Sequence, residues 1–213
     1  MSSTTIKKGK LITIEGCEGV GKTTQVTYLK GYCKHYEIPA VFTREPGGVP
    51  LAEKLREVVL DPAHKMCALT ELLLYSAARA EHINTVIKPA LDEGKLVVCD
   101  RFIYSTMAYQ GYGRGVDVDF IKKLNSMVLM GVEIDLTVFI DLSPEQGFVQ
   151  KGGAKKDDRI EQAGMEFHRR VYQGFKEIAC TEKKIVAIDG TKYHRTVFDN
   201  VISALKKHEI IPK

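Results

Sequence analysis

The stretch Gly16-Cys17-Glu18-Gly19-Val20-Gly21-Lys22-Thr23 decides the fold. It matches the pattern G-x-x-x-x-G-K-[ST], and we call it the phosphate-binding loop. The β-rich apolar run Lys10 to Glu15 precedes it, and Thr24 to Tyr36 follows with a helical pattern. A strand, a glycine-rich turn and a helix in this order aim backbone N–H groups and a helix N-terminus at one point. In such a loop Lys22 reaches the β and γ phosphates and the Thr23 hydroxyl ligates Mg²⁺, so the sequence predicts nucleoside triphosphate binding.

The bulk composition fits one globular domain spanning residues 1–213. That length allows a sizeable core and is short of the size at which cores usually split. Hydrophobic residues at 44% and charged residues at 27% exclude intrinsic disorder. The net charge of +4 is mild, and Lys151 to Lys156 is the one Lys-rich segment, so nucleic acid is not indicated as a partner.

The cysteines and the N-terminus indicate a cytoplasmic protein. The five cysteines are scattered and odd in number, which favours free thiols in a reducing compartment over disulfides or a zinc cluster. Met1 to Lys10 is polar and lacks the apolar core of a signal peptide, and no apolar run approaches membrane-spanning length. We therefore expect no membrane association.

Five short apolar runs alternate with helical patterns along the chain. Short continuous apolar runs are typical of strands buried on both faces of a parallel sheet. The pattern predicts a doubly wound α/β fold with a five-stranded parallel sheet, flanked by helices, and ligands at the carboxyl ends of the strands. The predicted strands are Leu11–Ile14, Ala40–Phe42, Leu96–Cys99, Thr137–Ile140 and Ile185–Ile188; the predicted helices are Thr24–Tyr36, Leu51–Leu60, Leu69–Glu93 with a bend near Pro89, Asp117–Met130, Ile160–Glu182 and Tyr193–Lys207.

Polar clusters follow the four later strands. They are Thr43 to Gly48, Asp100-Arg101, Asp141, and Asp189 to Lys192. Because parallel strands end at the same edge of a sheet, these clusters should converge on the phosphate-binding loop. Asp141 is ambiguous, since it could equally cap a helix beginning near Ser143-Pro144.

The chain resembles the bacterial-type thymidylate kinases, within the P-loop nucleoside monophosphate kinases. The resemblance covers nearly the whole chain and implies transfer of the ATP γ-phosphoryl group to dTMP, with a mobile lid over ATP and a homodimeric assembly. It rests on the blocks Ile14–Thr24, Phe42–Gly48 (F-T-R-E-P-G-G), Tyr75–Arg79, Asp100-Arg101, Ala108–Gly111, Gly113–Gly115 and Asp158–Glu161.

The donor half of the site follows from this resemblance. It implies that Asp100 either orders Mg²⁺ through water, together with Thr23, or contacts the acceptor substrate, and that the Asp189–Lys192 turn holds the adenine. The implied ATP-binding residues are Glu18, Gly19, Val20, Gly21, Lys22, Thr23, Thr24, Thr191 and Lys192.

The acceptor half takes the remaining blocks. Arg44 and Arg101 are implied as clamps on the acceptor phosphate, because a planar guanidinium binds phosphate in a bidentate way. Glu18 would contact the deoxyribose 3′-hydroxyl. Arg79 would donate to the thymine O4 while Tyr75, one helical turn earlier, stacks on the ring, although a helical tyrosine is often simply core. The other implied dTMP contacts are Glu45, Pro46, Thr106, Tyr109 and Gln110.

The lid, about residues 147–160, departs from the family pattern. Relatives without an arginine in the phosphate-binding loop carry lid arginines, one of which stabilises the transferring phosphoryl group. This chain has Gln150, Gly152 and Ala154 at the expected positions. We therefore predict that Lys155, Lys156 or Arg159 supplies the catalytic charge, although lysine lacks the bidentate fork.

Two alternatives stay open on the sequence alone. One is a kinase for another deoxynucleotide or a deoxynucleoside, which the T-R-E-P block and Glu18 disfavour. The other is a nucleotide-binding switch that has lost catalysis, which only the missing lid arginines favour.

Overall fold

The structure, a computed structural model, describes residues 9–152 and 158–212. Within these ranges five parallel strands form one sheet in the order β2-β3-β1-β4-β5. Each of the five predicted strands is confirmed, with ends that differ by no more than two residues. The strands are β1 (Lys10–Glu15), β2 (Ala40–Arg44), β3 (Leu96–Asp100), β4 (Leu136–Asp141) and β5 (Ile185–Asp189).

The position of β1 at the centre of the sheet determines where ligands bind. It pairs with β3 on one side and β4 on the other, so that Ile14 lies opposite Asp100 and Glu15 opposite Phe139. The chain leaving β1 therefore emerges between the ends of two neighbouring strands. In open α/β sheets this switch in strand order forms the ligand crevice.

Strand burial follows position in the sheet. The central strands β1, β3 and β4 are almost wholly buried, whereas the edge strands β2 and β5 are mostly half-buried. Helices cover both faces of a parallel sheet, but an edge strand has a neighbour on one side only. The expectation of full burial thus fits the three central strands.

Helices account for most of the remaining described residues. They pack their apolar faces on the sheet, and this packing forms one large core in which Leu11, Val97 and Val138 are fully buried. The α-helices are α1 (Lys22–His35), α2 (Pro50–Leu60), α3 (Ala68–His82), α4 (Lys88–Asp92), α5 (Ile103–Thr106), α6 (Val118–Val128), α7 (Pro144–Gln150), α8 (Met165–Thr181) and α9 (His194–Lys207).

The predicted helix Leu69–Glu93 is divided into segments. A π-helical turn, Ile83–Ile87, separates α3 from α4, and Pro89 lies in the first turn of α4. Proline cannot donate the backbone hydrogen bond of a regular helix, and its ring crowds the preceding turn. The wider turn just before Pro89 accommodates it.

The predicted helix Ile160–Glu182 begins later than expected. A short 3₁₀ turn, Glu161–Ala163, comes first, and Gly164 with φ 84° ends it before α8 begins at Met165. Residues 103–113, for which no helix was predicted, form α5 and a π-helical segment, Met107–Gly113. No helix within the described ranges combines the length and the apolar character needed to cross a bilayer.

Candidate active site

The phosphate-binding loop lies between β1 and α1 with its glycines in left-handed conformations. Gly19 has φ 71° and Gly21 has φ 89°. A Cβ atom on Gly19 would lie 2.0 Å from the Gly147 carbonyl oxygen at the start of the lid, so only glycine fits there. The loop is therefore shaped by its own backbone and by close contact with α7.

Lys22 is folded back over this loop. Its Nζ donates to the carbonyl oxygens of Gly16 at 3.1 Å and Cys17 at 2.6 Å, and its side chain is buried. Burial and the nearby Arg101 charge lower the pKa of Lys22. An anion placed in the loop would offer this buried cation a charged partner.

Thr23 and Asp100 meet at the end of β3. The Thr23 hydroxyl lies 3.5 Å from Asp100 Oδ2, while Asp100 Oδ1 is buried and has no hydrogen-bond partner among the residues that the structure describes. A hydroxyl beside an unsatisfied carboxylate oxygen is a donor set of the kind that Mg²⁺ prefers. The residues present therefore fit the predicted metal position.

Arg101, directly after β3, connects the phosphate-binding loop with Tyr109, a predicted dTMP contact. Its guanidinium donates to the Gly16 carbonyl at 2.9 Å and to Glu18 Oε1 at 2.6 Å, and it lies 5.1 Å from the centre of the Tyr109 ring. Its φ of 68° is unusual for a residue with a side chain. Backbone strain of this kind persists where the surroundings hold a side chain in a required place.

Glu18 is held in its ionised form. Its carboxylate accepts from Arg101 and from the Tyr109 hydroxyl at 3.1 Å. Burial raises the pKa of Glu18, but the charges of Arg101 and Lys22 and the Tyr109 hydrogen bond outweigh it and bring the pKa to about 2. A fixed carboxylate beside a cation suits recognition of a ligand hydroxyl.

Arg79 is a buried arginine on α3 with three partners. Its Nε donates to Glu45 at 2.6 Å, one terminal nitrogen donates to Asn125 at 3.1 Å, and the other donates to Thr106 at 2.9 Å. The second Glu45 oxygen contacts His82 Nδ1 at 3.0 Å. These contacts use three of the five N–H groups of a guanidinium, so others stay available for an acceptor on a ligand.

The acceptor cavity brings the predicted dTMP residues together. Nine of the ten predicted contacts line it; Arg44 is the exception. Tyr75 lines this cavity and is half-buried, so it is more than a core residue. The residues lining the cavity are Glu18, Glu45, Pro46, Arg56, Leu60, Tyr75, Arg79, Arg101, Phe102, Ser105, Thr106, Tyr109, Gln110, Asp158, Ile160 and Glu161.

A second cavity, the donor cavity, lies over the phosphate-binding loop. It contains Glu18 to Thr24, Asp100 and Arg44, together with Gln150 and Lys151 from the lid. Its walls and those of the acceptor cavity share four residues: Glu18, Glu45, Arg56 and Arg101. The two cavities are therefore adjacent.

Two predicted cations have partners that the sequence did not indicate. Arg44 is exposed and its terminal nitrogen donates to both Glu53 oxygens, at 3.2 and 3.1 Å. Arg159 donates to the Val59 carbonyl and forms an ion pair with Glu71 at 2.6 Å. Lys155 and Lys156 lie outside the described residues.

Arg56 is a site residue that the sequence analysis missed. It lines both cavities and donates to the Pro46 carbonyl at 3.1 Å. The available signal was its position on α2, directly after the T-R-E-P-G-G block. Lys151, at the start of the Lys-rich segment, was not predicted as a site residue, but it lines the donor cavity and pairs with Glu161.

The remaining strand-end residues, Asp141 and Asp189 to Lys192, line neither cavity, so the predicted ATP contacts Thr191 and Lys192 are not brought into the donor cavity. The Thr191 amide and hydroxyl donate to Asp189 at 2.9 and 2.6 Å, and Lys192 Nζ lies 3.6 Å from the same carboxylate, all exposed. Asp141 does not cap α7, because Ser143 accepts the capping bond from Gln146. It accepts instead from Tyr172 and Lys176, both at 2.8 Å.

A phosphate-binding loop beside a second cavity lined by Arg56, Arg79 and Arg101 defines the class of P-loop kinases that act on small phosphorylated acceptors. Comparison with known proteins narrows the class. The family model described as thymidylate kinase matches residues 14–201. The chain belongs to the thymidylate kinase family.

Individual relatives agree with this assignment. The thymidylate kinase of Carboxydothermus hydrogenoformans is 44% identical over 191 residues, which cover 90% of this chain and 94% of that protein. That of Trichodesmium erythraeum is 46% identical over 197 residues, covering 85% and 88%. The crystal structure of thymidylate kinase from Ehrlichia chaffeensis matches with a TM-score of 0.76 at 38% identity, covering 93% of this chain and 99% of that one. The predicted family and fold are confirmed.

Proposed function

We propose that the protein is an ATP-dependent dTMP kinase that produces dTDP and ADP for dTTP synthesis. The observation that carries this proposal is the shared wall of the two cavities, since Glu18 and Arg101 line both. Phosphoryl transfer needs two anionic substrates held in line at close range. Membership of the thymidylate kinase family supports dTMP as the acceptor.

On the donor side, we assign the triphosphate to Glu18 to Thr24 and the adenine to the turn carrying Thr191 and Lys192. Lys22 would exchange its two backbone acceptors for phosphate oxygens. Thr23 and, through water, Asp100 would hold Mg²⁺, which when bound neutralises charge on the β and γ phosphates.

On the acceptor side, we assign the dTMP phosphate to Arg101 and Arg44, with Arg56 as an additional cation. Glu18 would accept a hydrogen bond from the sugar hydroxyl, and Tyr109 would donate one to it. Arg79, held by Glu45 and Thr106, would donate to the thymine O4 while Tyr75 stacks on the ring. Hydrogen bonds from fixed buried groups discriminate between bases far better than stacking does.

We also propose that the protein is a single domain whose lid spans about residues 147–160. The lid would supply a positive charge that stabilises the transferring phosphoryl group. Each guanidinium nitrogen of Arg159 already has a partner on α2 or α3. We therefore assign the catalytic charge to Lys155 or Lys156. Lid closure would exclude water and limit ATP hydrolysis.

A substrate panel tests the proposal. Purified protein with ATP and Mg²⁺ should release ADP fastest with dTMP, and much more slowly with dCMP, dGMP or thymidine, measured as kcat/KM in a coupled assay. Preference for another acceptor would contradict the substrate assignment. Binding of ATP and dTMP without ADP release would instead indicate the nucleotide-binding switch.

Assembly and location complete the proposal. Six large apolar side chains on α2, α3 and α6 are exposed in the described part of the chain, and α3 packs against both α2 and α6. We propose that this face joins two copies in a homodimer. The five cysteines are free thiols, which fits a cytoplasmic protein.

A further inference from the structure

We propose that Glu71 is a positioning residue that holds the end of the lid and one wall of the acceptor cavity through a single carboxylate. Glu71 lies on α3, one helical turn before Tyr75, and is 1% exposed. It does not itself line either cavity. The inference rests on the proposed function, because Gln110 is a substrate contact only if the acceptor cavity binds dTMP.

Three side chains from two segments meet at this carboxylate: Gln110 and Arg114 from the π-helical segment and its end, and Arg159. Gln110 Nε2 donates to Oε1 at 2.7 Å, Arg114 Nε donates to both oxygens at 3.2 Å, and Arg159 Nη1 forms an ion pair with Oε2 at 2.6 Å. A buried carboxylate is costly unless it is paired and hydrogen-bonded. Glu71 is fully paired only when Gln110 and Arg159 are both in place.

Arg159 is fixed on its other side by the end of α2. Its Nε and a terminal nitrogen donate to the Val59 carbonyl at 3.1 and 2.9 Å, and its backbone amide donates to the Leu60 carbonyl at 2.9 Å. These carbonyls belong to the last turn of α2, where helix carbonyls lack intrahelical partners and a cation is stabilised. The guanidinium thus links α2 to α3.

This linkage fixes a part of the acceptor cavity. Asp158 and Ile160, on either side of Arg159, line that cavity, as does Gln110 on the opposite side of Glu71. Asp158 Oδ1 accepts from the amides of Ile160 and Glu161 at 2.9 and 2.8 Å, so the turn has little freedom of its own. Loss of the Glu71–Arg159 pair would therefore move a cavity wall without removing a substrate contact.

A double-mutant cycle with Glu71→Gln and Arg159→Gln tests this inference. Each single change should raise KM for dTMP about tenfold and alter kcat less than about threefold, because the wall shifts while the reacting groups stay. The double variant should show a rise clearly smaller than the product of the two single effects, since both changes break the shared Glu71–Arg159 ion pair. Arg169→Gln, which breaks the exposed Arg169–Glu145 pair, is the matched control and should leave KM unchanged.

Three outcomes would overturn it. The first is an unchanged KM for dTMP in Arg159→Gln. The second is a rise in KM of about a hundredfold in the double variant, which would mean that the two effects multiply. The third is a hundredfold loss of kcat in Arg159→Gln with KM unchanged, which would make Arg159 the catalytic lid cation. If Glu71→Gln does not fold, by thermal unfolding, Arg159→Gln and Arg159→Lys decide, and the lysine variant should recover part of the lost affinity.

The same experiment separates this inference from the proposed function. Wild-type turnover of dTMP tests the function alone. The ratios between variants test Glu71 alone, whichever nucleoside monophosphate the wild-type protein phosphorylates.

Discussion

At the scale of single residues, the site is organised by charges that are already paired before any substrate binds. Glu18 pairs with Arg101, Glu45 with Arg79, and Lys22 with backbone carbonyls. Preformed pairs orient their side chains, so a ligand meets groups whose conformational entropy has already been lost. Because the groups are paired, removing one member of a pair leaves the charge of the other without its partner.

Arg101→Ala should weaken dTMP binding by about 10- to 100-fold, because a charged hydrogen bond to phosphate is lost and Glu18 is left without its main partner. Calorimetric titration with dTMP measures this. Arg44→Ala is the comparison: Arg44 is 57% exposed and paired with Glu53, so its loss should cost less. Equal dTMP affinity in wild type and Arg101→Ala would refute the role of Arg101 as a phosphate clamp.

Glu18 predicts a definite pH dependence of stability. Its pKa falls from an ordinary 4.5 to about 2 on folding, so the ionised form stabilises the protein above pH 4.5, and this contribution is lost as pH falls towards 2. The difference in Tm between wild type and Glu18→Gln should therefore shrink between pH 6 and pH 3. Thermal unfolding across this range checks it, and a difference that stays constant or widens would show that ionisation is not the cause.

At the scale of elements, α7, where the predicted lid begins, and the phosphate-binding loop are in backbone contact. A Cβ atom on Gly147 of α7 would lie 2.2 Å from the Glu18 carbonyl oxygen, and Gly19 faces Gly147 in the same way. Two glycines from distant parts of the chain thus allow α7 to approach the loop. This contact therefore fixes the position of α7 relative to the phosphate-binding loop.

Gly147→Ala should displace the loop, destabilise the protein by about 1–3 kcal/mol and raise KM for ATP more than KM for dTMP. Gly31→Ala in α1 is the matched control: a Cβ there meets nothing within 4 Å, and we expect stabilisation of about 0.5–1 kcal/mol. Chemical denaturation and initial rates measure both effects. A Gly147→Ala variant as stable and active as wild type would show that the contact is dispensable.

The lid gives a second prediction at this scale. Changing Lys155 and Lys156 together to Ala should lower kcat about a hundredfold or more and leave dTMP affinity nearly intact, because the charge acts on the transferring phosphoryl group. Initial rates at saturating substrates measure kcat. An unchanged kcat would leave Lys151, in the donor cavity, as the next lid cation to test.

At the scale of the whole molecule, sequence patterns predicted those features that depend on residues close together in the sequence. The strands and the loop were predictable, because apolar runs and glycine spacing are local properties. The bonds of Arg159 to Val59 and Glu71 were not, since they join segments far apart in sequence. Nor were the π-helical segments, which arise where a proline or a packed pocket wall overrides the regular helix.

The proposed dimer predicts a response to surface charge. Leu73→Lys or Met127→Lys should shift the protein from dimer to monomer, because a charge in an apolar interface is left without a partner. Light scattering coupled to gel filtration measures the mass. Tyr36→Lys, at an exposed aromatic after the end of α1, should leave the mass unchanged; a monomeric wild type would contradict the proposed face.

The shared wall of the two cavities has a consequence for inhibitor design. A single compound with a pyrimidine nucleoside at one end and a polyphosphate at the other would fill both cavities at once. Arg101, which lines both cavities, would then lie near the middle of the compound. Linking two weak fragments raises the effective concentration of the second to about the millimolar range, so avidity exceeds that of either fragment by about 10²–10⁴ if the linker matches the span. Linker length would then serve as a ruler for the separation of the two substrates.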